Sequence, residues 1–138
     1  MKDVLFFVPG EPKGQPRPRA FARGGKVRVY DPATAEAWKG LIALSAQENR
    51  PADPVNLPAA VSLLFNMPRP RSHFGRRGLL PSAPERCVTK PDIDNLGKAV
   101  LDALVNISFL RDDCLVDSLL IRKRYTENTP GCEVRVSW

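Results

Sequence analysis

Lys90-Pro91-Asp92-Ile93-Asp94-Asn95-Leu96-Gly97-Lys98-Ala99-Val100-Leu101-Asp102-Ala103-Leu104 is the stretch on which the reading of this chain turns. Ile93, Leu96, Val100, Ala103, Leu104 and Ile107 recur at helical spacing, so a helix is expected over 92–107 with that row as its buried face. Asp92 and Asp94 stand at its N-terminus. Asp94, Lys98 and Asp102 follow at i, i+4 and i+8 along another face.

The chain organises outward from this helix. Upstream, residues 59–67 (Ala-Ala-Val-Ser-Leu-Leu-Phe-Asn-Met) are apolar enough for a central strand, and Pro51, Pro54 and Pro58 make a stiff connector before it. A helix capped by Asp31 or Thr34 is expected to run to about Asn49, with Trp38, Leu41, Ile42 and Ala46 on its buried face. Gly24-Gly25 supplies the turn of a small basic hairpin between 20–22 and 27–30. Residues 3–8 read as a first strand. Pro12, Pro16 and Pro18 exclude a helix between that strand and the hairpin. Downstream, Arg111-Asp112-Asp113 forms an irregular turn before a strand over 116–125. Thr129-Pro130-Gly131 then turns the chain into a strand over 132–138, so a terminal hairpin is expected. The order is β, hairpin, α, β, α, β, β. An α+β fold follows: one domain over 1–138, a small mixed β-sheet packed against two main helices.

Length and composition agree. At 138 residues, 43% hydrophobic and 26% charged, the chain has room for one real core. No apolar run approaches the ~18–20 residues of a membrane span, and no signal-peptide pattern opens the chain. Three widely spaced cysteines (Cys87, Cys114, Cys132) suit a reducing cytoplasm and indicate neither a disulfide framework nor a zinc knuckle.

The net charge of +6 is unevenly spread. Residues 10–30 hold Lys13, Arg17, Arg19, Arg23, Lys26 and Arg28 against Glu11 alone. Residues 69–90 hold Arg69, Arg71, Arg76, Arg77, Arg86 and Lys90 against Glu85 alone. Between 92 and 117 lie Asp92, Asp94, Asp102, Asp112, Asp113 and Asp117 against Lys98 and Arg111. A charge run is ordinarily solvated surface. Two basic runs beside a carboxylate cluster favour a polyanionic partner, because phosphate contacts need Lys and Arg in number. Lys13, Arg17, Arg19, Arg23, Lys26, Arg69, Arg71, Arg76, Arg77 and Lys90 are the candidate DNA-binding residues. Segments 10–30 and 68–91 are expected to be flexible. The second is Pro-rich and without periodicity, so it is expected to be mobile until a ligand orders it. Phe21, Tyr30 and Phe74 lie within the basic segments, either to stack on unpaired bases or to anchor those segments to the core.

One aspartate at a helix start is an ordinary cap, and that explanation accounts for only one of Asp92 and Asp94. The second, with Asp112-Asp113 in the following turn, crowds negative charge that must be neutralised. Magnesium takes carboxylate oxygens together with water and substrate phosphates, and a pair of such ions clamps the oxygens of a phosphodiester cleavage. A helix from 94 to 104 is ~15 Å long, and the nine steps from 104 to 113 reach ~30 Å when extended. The loop is therefore long enough to return Asp113 beside Asp92 and Asp94. The alternative is that Asp112-Asp113 is a polar turn before a strand. Lys98 is either a salt-bridge partner or a group that holds the scissile phosphate. Asp102 is expected to fix Lys98. Asn95 supports either the metal shell or the helix start. His73 is the sole histidine, which excludes a His-rich metal site and disfavours Ser-His-Asp chemistry. Neither Gly24-Gly25 nor Gly75-x-x-Gly78 has the spacing of a phosphate-binding loop, so no nucleotide cofactor is expected.

These residues resemble the RusA-type Holliday-junction resolvases, a family common in phages and prophages. The match rests on Lys90-Pro91-Asp92-Ile93-Asp94-Asn95-Leu96-x-Lys98-x-x-x-Asp102-Ala103-Leu104, then Arg111-Asp112-Asp113 and an apolar strand. Pro12-Lys13-Gly14-Gln15-Pro16-Arg17-Pro18-Arg19 looks like the basic N-terminal stretch of many members. The resemblance implies a Mg2+-dependent endodeoxyribonuclease, with Mn2+ able to substitute, acting as a homodimer on four-way DNA junctions in recombination and repair. It implies catalytic and metal-binding roles for Asp92, Asp94 and Asp113, a catalytic role for Lys98, and a possible metal contact from Asp112. Some members have glycine in the turn where this chain has Ser108, and the 68–91 loop is longer than in the best-known members. A protein that binds junctions or single strands without cutting is the competing reading. A nuclease for flaps or forks shares the same chemistry.

Overall fold

Strand β4 (Ala59–Pro68) is the apolar axis around which the sheet is built. Ala59, Val61, Leu63, Phe65 and Met67 point to one side and are buried, the period-two pattern of a strand with one covered face. The computed structural model describes residues 1–15 and 35–138, together with two strands, Arg19–Arg23 and Lys26–Tyr30, as backbone. Arg17, Asp31, Thr34 and Gly24-Gly25 lie outside the described residues. Strand β1 (Asp3–Pro9), the hairpin strands β2 (Arg19–Arg23) and β3 (Lys26–Tyr30), and helix α1 (Glu36–Asn49) precede β4. The short strands β5 (Phe74–Gly75) and β6 (Gly78–Leu79), helix α2 (Ile93–Asn106) and strands β7 (Val116–Thr126) and β8 (Gly131–Ser137) follow it.

The main sheet has the order β1-β8-β4-β7. β7 runs parallel to β4, whereas β8 is antiparallel to both β4 and β1. The mixed α+β architecture read from the sequence is therefore present. The expected terminal hairpin is not: β7 and β8 lie on opposite sides of β4. The short connection after Thr126 steps across the end of β4 rather than folding β8 back on β7. The physical reason is burial, since β4 carries the longest apolar row and gains most by being paired on both edges.

Both helices cover the same face. Trp38, Ile42 and Ala46 of α1 and Leu96, Val100, Ala103 and Leu104 of α2 join Phe6, Val8, Val61, Leu63, Phe65, Val134 and Val136 in one core. Leu41 and Ile93, expected inside, are on the rim at 36% and 40% exposure. Gly97 and Ala99 are buried instead. Gly97 lets β7 pack close, because a Cβ there would collide with Ile121 Cδ1. After α2 the chain turns in a Schellman arrangement, Phe109 N–H donating to Leu104 O and Ser108 N–H to Val105 O. Val55 of the proline connector brackets this turn, donating to Phe109 O and accepting from Arg111 N–H.

Segment 68–91 has a defined course, contrary to its composition. A 3-10 turn at Arg71–His73 leads into the β5–β6 hairpin, closed by Leu80 N–H donating to His73 O. Tyr125 of β7 staples the segment. The Arg69 guanidinium carbon lies 4.6 Å from the Tyr125 ring centroid, and His73 meets the same ring edge-on at 5.3 Å. Arg69 Nη1 also donates to Pro84 O at 2.6 Å. Long-range contacts from β7, invisible to local composition, supply what the segment lacks in periodicity.

Candidate active site

Asp92 is the N-cap of α2, with φ −68° and ψ 144°, and its carbonyl accepts Leu96 N–H at 3.0 Å. Its carboxylate makes no capping hydrogen bond. Asp94, in the first turn, accepts its neighbour's Asn95 N–H at 2.9 Å. Both aspartates are exposed, and both line a hollow of about 800 Å³. The lining also holds Glu85 and Arg86 from the loop and Arg122, Lys123 and Arg124 from β7. The N-terminus of α2 adds its partial positive charge on the aspartate side. The two α2 carboxylates thus share one hollow with four cations. That arrangement suits an anion bridged to the protein through a cation.

The β7 cations were not legible in the motif. Arg122-Lys123-Arg124 reads locally as part of a strand, and the only signal was three cations in succession within an otherwise apolar run. Because β7 is an edge strand, the hollow reaches side chains from both of its faces. Arg124 Nε donates to the buried Asn66 Oδ1 at 2.9 Å. Lys123 Nζ donates to Thr89 O at 2.5 Å and Pro91 O at 2.9 Å.

Asn95 serves the helix start and the N-terminal basic segment together. Its Nδ2 donates to Gln15 O at 3.1 Å, and Gln15 N–H returns a bond to Asn95 O at 3.0 Å. Gly14 makes this approach possible, since a Cβ there would lie 2.8 Å from Asn95 Nδ2. The chain that carries Lys13 is thereby fastened to the helix that carries Asp92 and Asp94. Lys98 Nζ lies 3.8 Å from Asp102 Oδ1, the pairing expected for Asp102, and Lys98 remains 62% exposed.

Asp112 and Asp113 behave differently from the pair on α2. Asp112 accepts Cys114 N–H at 2.9 Å and so shapes the 3-10 turn Asp113–Leu115. That bond holds the Asp112 carboxyl below its ordinary range, and the Asp112 contact pushes the Cys114 thiol up. Asp113 opens the turn and does not line the hollow. Among the described residues, no group of three His, Cys, Asp or Glu side chains is close enough to hold a metal. The loop after α2 is long enough to return Asp113 beside Asp92 and Asp94, and the three are not grouped as metal ligands here. Leu110 and Arg111 are tied to Val55, which holds the start of this segment on the connector.

Arg71, Arg76, Arg77 and Lys90 are exposed, with Arg76 and Arg77 at the turn of the β5–β6 hairpin. Arg69 is engaged with Tyr125 and Pro84, and Lys13 lies 3.4 Å from Glu11. Arg19, Arg23 and Lys26 are placed by the pairing of β2 with β3, and their side chains lie outside the description.

The profile of the family described as endodeoxyribonuclease RusA matches residues 9–137. The chain belongs to the RusA endodeoxyribonuclease family. The uncharacterized protein YqaN of Bacillus subtilis (strain 168) is 36% identical to it over 144 residues, covering 99% of this chain and 96% of that protein. The RusA match takes in the α2 carboxylates, the β7 cations and the basic 68–91 segment alike. Membership in this family supports nuclease activity on DNA. Among the described residues, no helix of this RusA-family chain is long and apolar enough to cross a membrane.

Proposed function

We propose that this RusA-family chain is a Mg2+-dependent endonuclease that resolves four-way DNA junctions by paired phosphodiester hydrolysis, in recombination and repair within a bacterial or phage-infected cytoplasm. The observation that carries the reading is the pair Asp92 and Asp94, unburied and lining one hollow together with Arg86, Arg122, Lys123 and Arg124.

The donor chemistry fits magnesium. Asp92 and Asp94 line the hollow from the start of α2, and Mg2+ is commonly held by one or two carboxylates with water and substrate phosphate completing its shell. Asp92 and Asp94 would hold the ion, and Mn2+ would substitute for it. Bound there, it would supply charge neutralisation at the phosphate and a more acidic water. Arg86 would draw the DNA backbone into the hollow, and Arg76 and Arg77 would hold it further out. Lys98, one turn beyond Asp94, would balance charge that develops on the scissile phosphate. Asp113 stays in the proposed catalytic set on the family motif alone. Asp112, committed to its turn, is left to structure.

A four-way junction has two-fold pseudosymmetry, so paired cuts require two sites related by a C2 axis. The sheet face not covered by helices supports a homodimer. It carries Leu5, Phe7 and Leu120, exposed by 57%, 39% and 55%. Glu133 and Arg135 lie two positions apart on β8 on that same face, and a two-fold axis passing between them would bring opposite charges together.

Labelled four-way, flap and linear DNAs, incubated with Mg2+ or with chelator, test the reading. Symmetric paired nicks on the four-way junction alone are expected, and only with metal. Asp92→Asn and Asp94→Asn should each abolish cleavage while binding junction DNA at least as well as the parent. Normal cutting by either variant refutes the site, and binding by the parent without cutting on any substrate favours the non-cleaving alternative.

A further inference from the structure

Lys123 differs from its two arginine neighbours in what it holds. β7 alternates, so position 123 belongs to the helix-covered face, opposite Phe65 of β4. From there its ammonium donates to the carbonyls of Thr89 and Pro91 at 2.5 and 2.9 Å. The second carbonyl belongs to the peptide that joins Pro91 to Asp92. Because a peptide unit is a rigid plane, fixing that oxygen also fixes the Asp92 nitrogen. On the other side, the Asp92 carbonyl is held by Leu96 N–H at 3.0 Å. Asp92 is therefore bracketed through its backbone, while its carboxylate makes no capping bond that would orient it locally.

We infer that Lys123 is a positioning residue for the carboxylate pair: by pinning the Pro91–Asp92 peptide it presents Asp92 to a divalent cation in one set geometry. The inference rests on the reading of Asp92 and Asp94 as the metal-binding pair. Partners that orient a metal ligand commonly change metal affinity about 10–100-fold when removed. The sign of the effect separates positioning from simple charge. A nearby ammonium repels a cation, so if Lys123 acted only through its charge, removing it would tighten metal binding. If it acts by holding Asp92, removing it weakens binding.

The test is Mn2+ binding to the full chain without DNA, followed by the electron paramagnetic resonance of free Mn2+, with circular dichroism to verify folding. Lys123→Met is expected to raise the Mn2+ dissociation constant by about tenfold. Lys123→Arg, which keeps charge and donors, is expected to restore it to within about threefold. Asp92→Asn, run alongside, is expected to lose the binding. Unchanged or tighter Mn2+ binding by a folded Lys123→Met overturns the positioning role. Should that variant fail to fold, Lys123→Gln replaces it under the same criterion. Unchanged binding by Asp92→Asn instead overturns the metal-site reading, and the role of Lys123 falls with it.

Discussion

Ser108 shows how one residue reports on the constraint around it. Its φ of 62° places it in the left-handed region, at the position after the α2 C-cap where a Schellman turn favours glycine. For an L-residue that conformation costs roughly 1–2 kcal/mol, and glycine's larger unfolded-state entropy returns roughly 0.5–1 kcal/mol of the difference. Ser108→Gly is therefore expected to stabilise the fold by about 0.5–1 kcal/mol, read as a higher urea midpoint with unchanged m. The same scale separates the aspartates. Asp92 sits at a cap position without capping, whereas Asp112 does the work of a turn. Their residue types were plain in the sequence, but which of them was left available for ligands depended on hydrogen bonds that only the folded backbone displays.

At the scale of elements, α2 organises the site. Its buried row, Leu96, Val100 and Leu104, has no exposed surface and locks the helix against the sheet. Leu104→Ala is expected to cost about 2–5 kcal/mol, the range for emptying a well-packed core position, and is read by urea denaturation. Removal of the exposed Lys98–Asp102 pair should move the same midpoint very little. The 3.6-residue period made this helix legible within a residue at each end; a continuous apolar run did the same for β4, and the period of two for β8. Segment 68–91 was not legible. Its contacts with Tyr125 and Lys123 of β7 join residues far apart in sequence.

At the scale of the whole molecule, the net charge of +6 conceals a polarised chain. One sheet face is closed by two helices. The other exposes Leu5 and Phe7 on β1 and Leu120 on β7, on either side of Glu133 and Arg135, and that face is the proposed dimer surface. Leu120→Asp is expected to convert a dimer to a monomer by light scattering. It should also replace paired junction cuts with single nicks, while Mn2+ binding at Asp92 and Asp94 survives. A dimer that persists in this variant would move the interface elsewhere.

The sequence by itself determined the elements and the carboxylate pair at the start of α2, because periodicity, turn residues and a short motif are local properties. It also located the basic segments, since charge runs are read without a fold. Only the tertiary structure decided that β4 separates β7 from β8 and that three β7 cations line the hollow beside Asp92 and Asp94. Those facts depend on which strands pair and which loops are tied down. Such choices follow from the burial of the whole chain, so no window of sequence contains them.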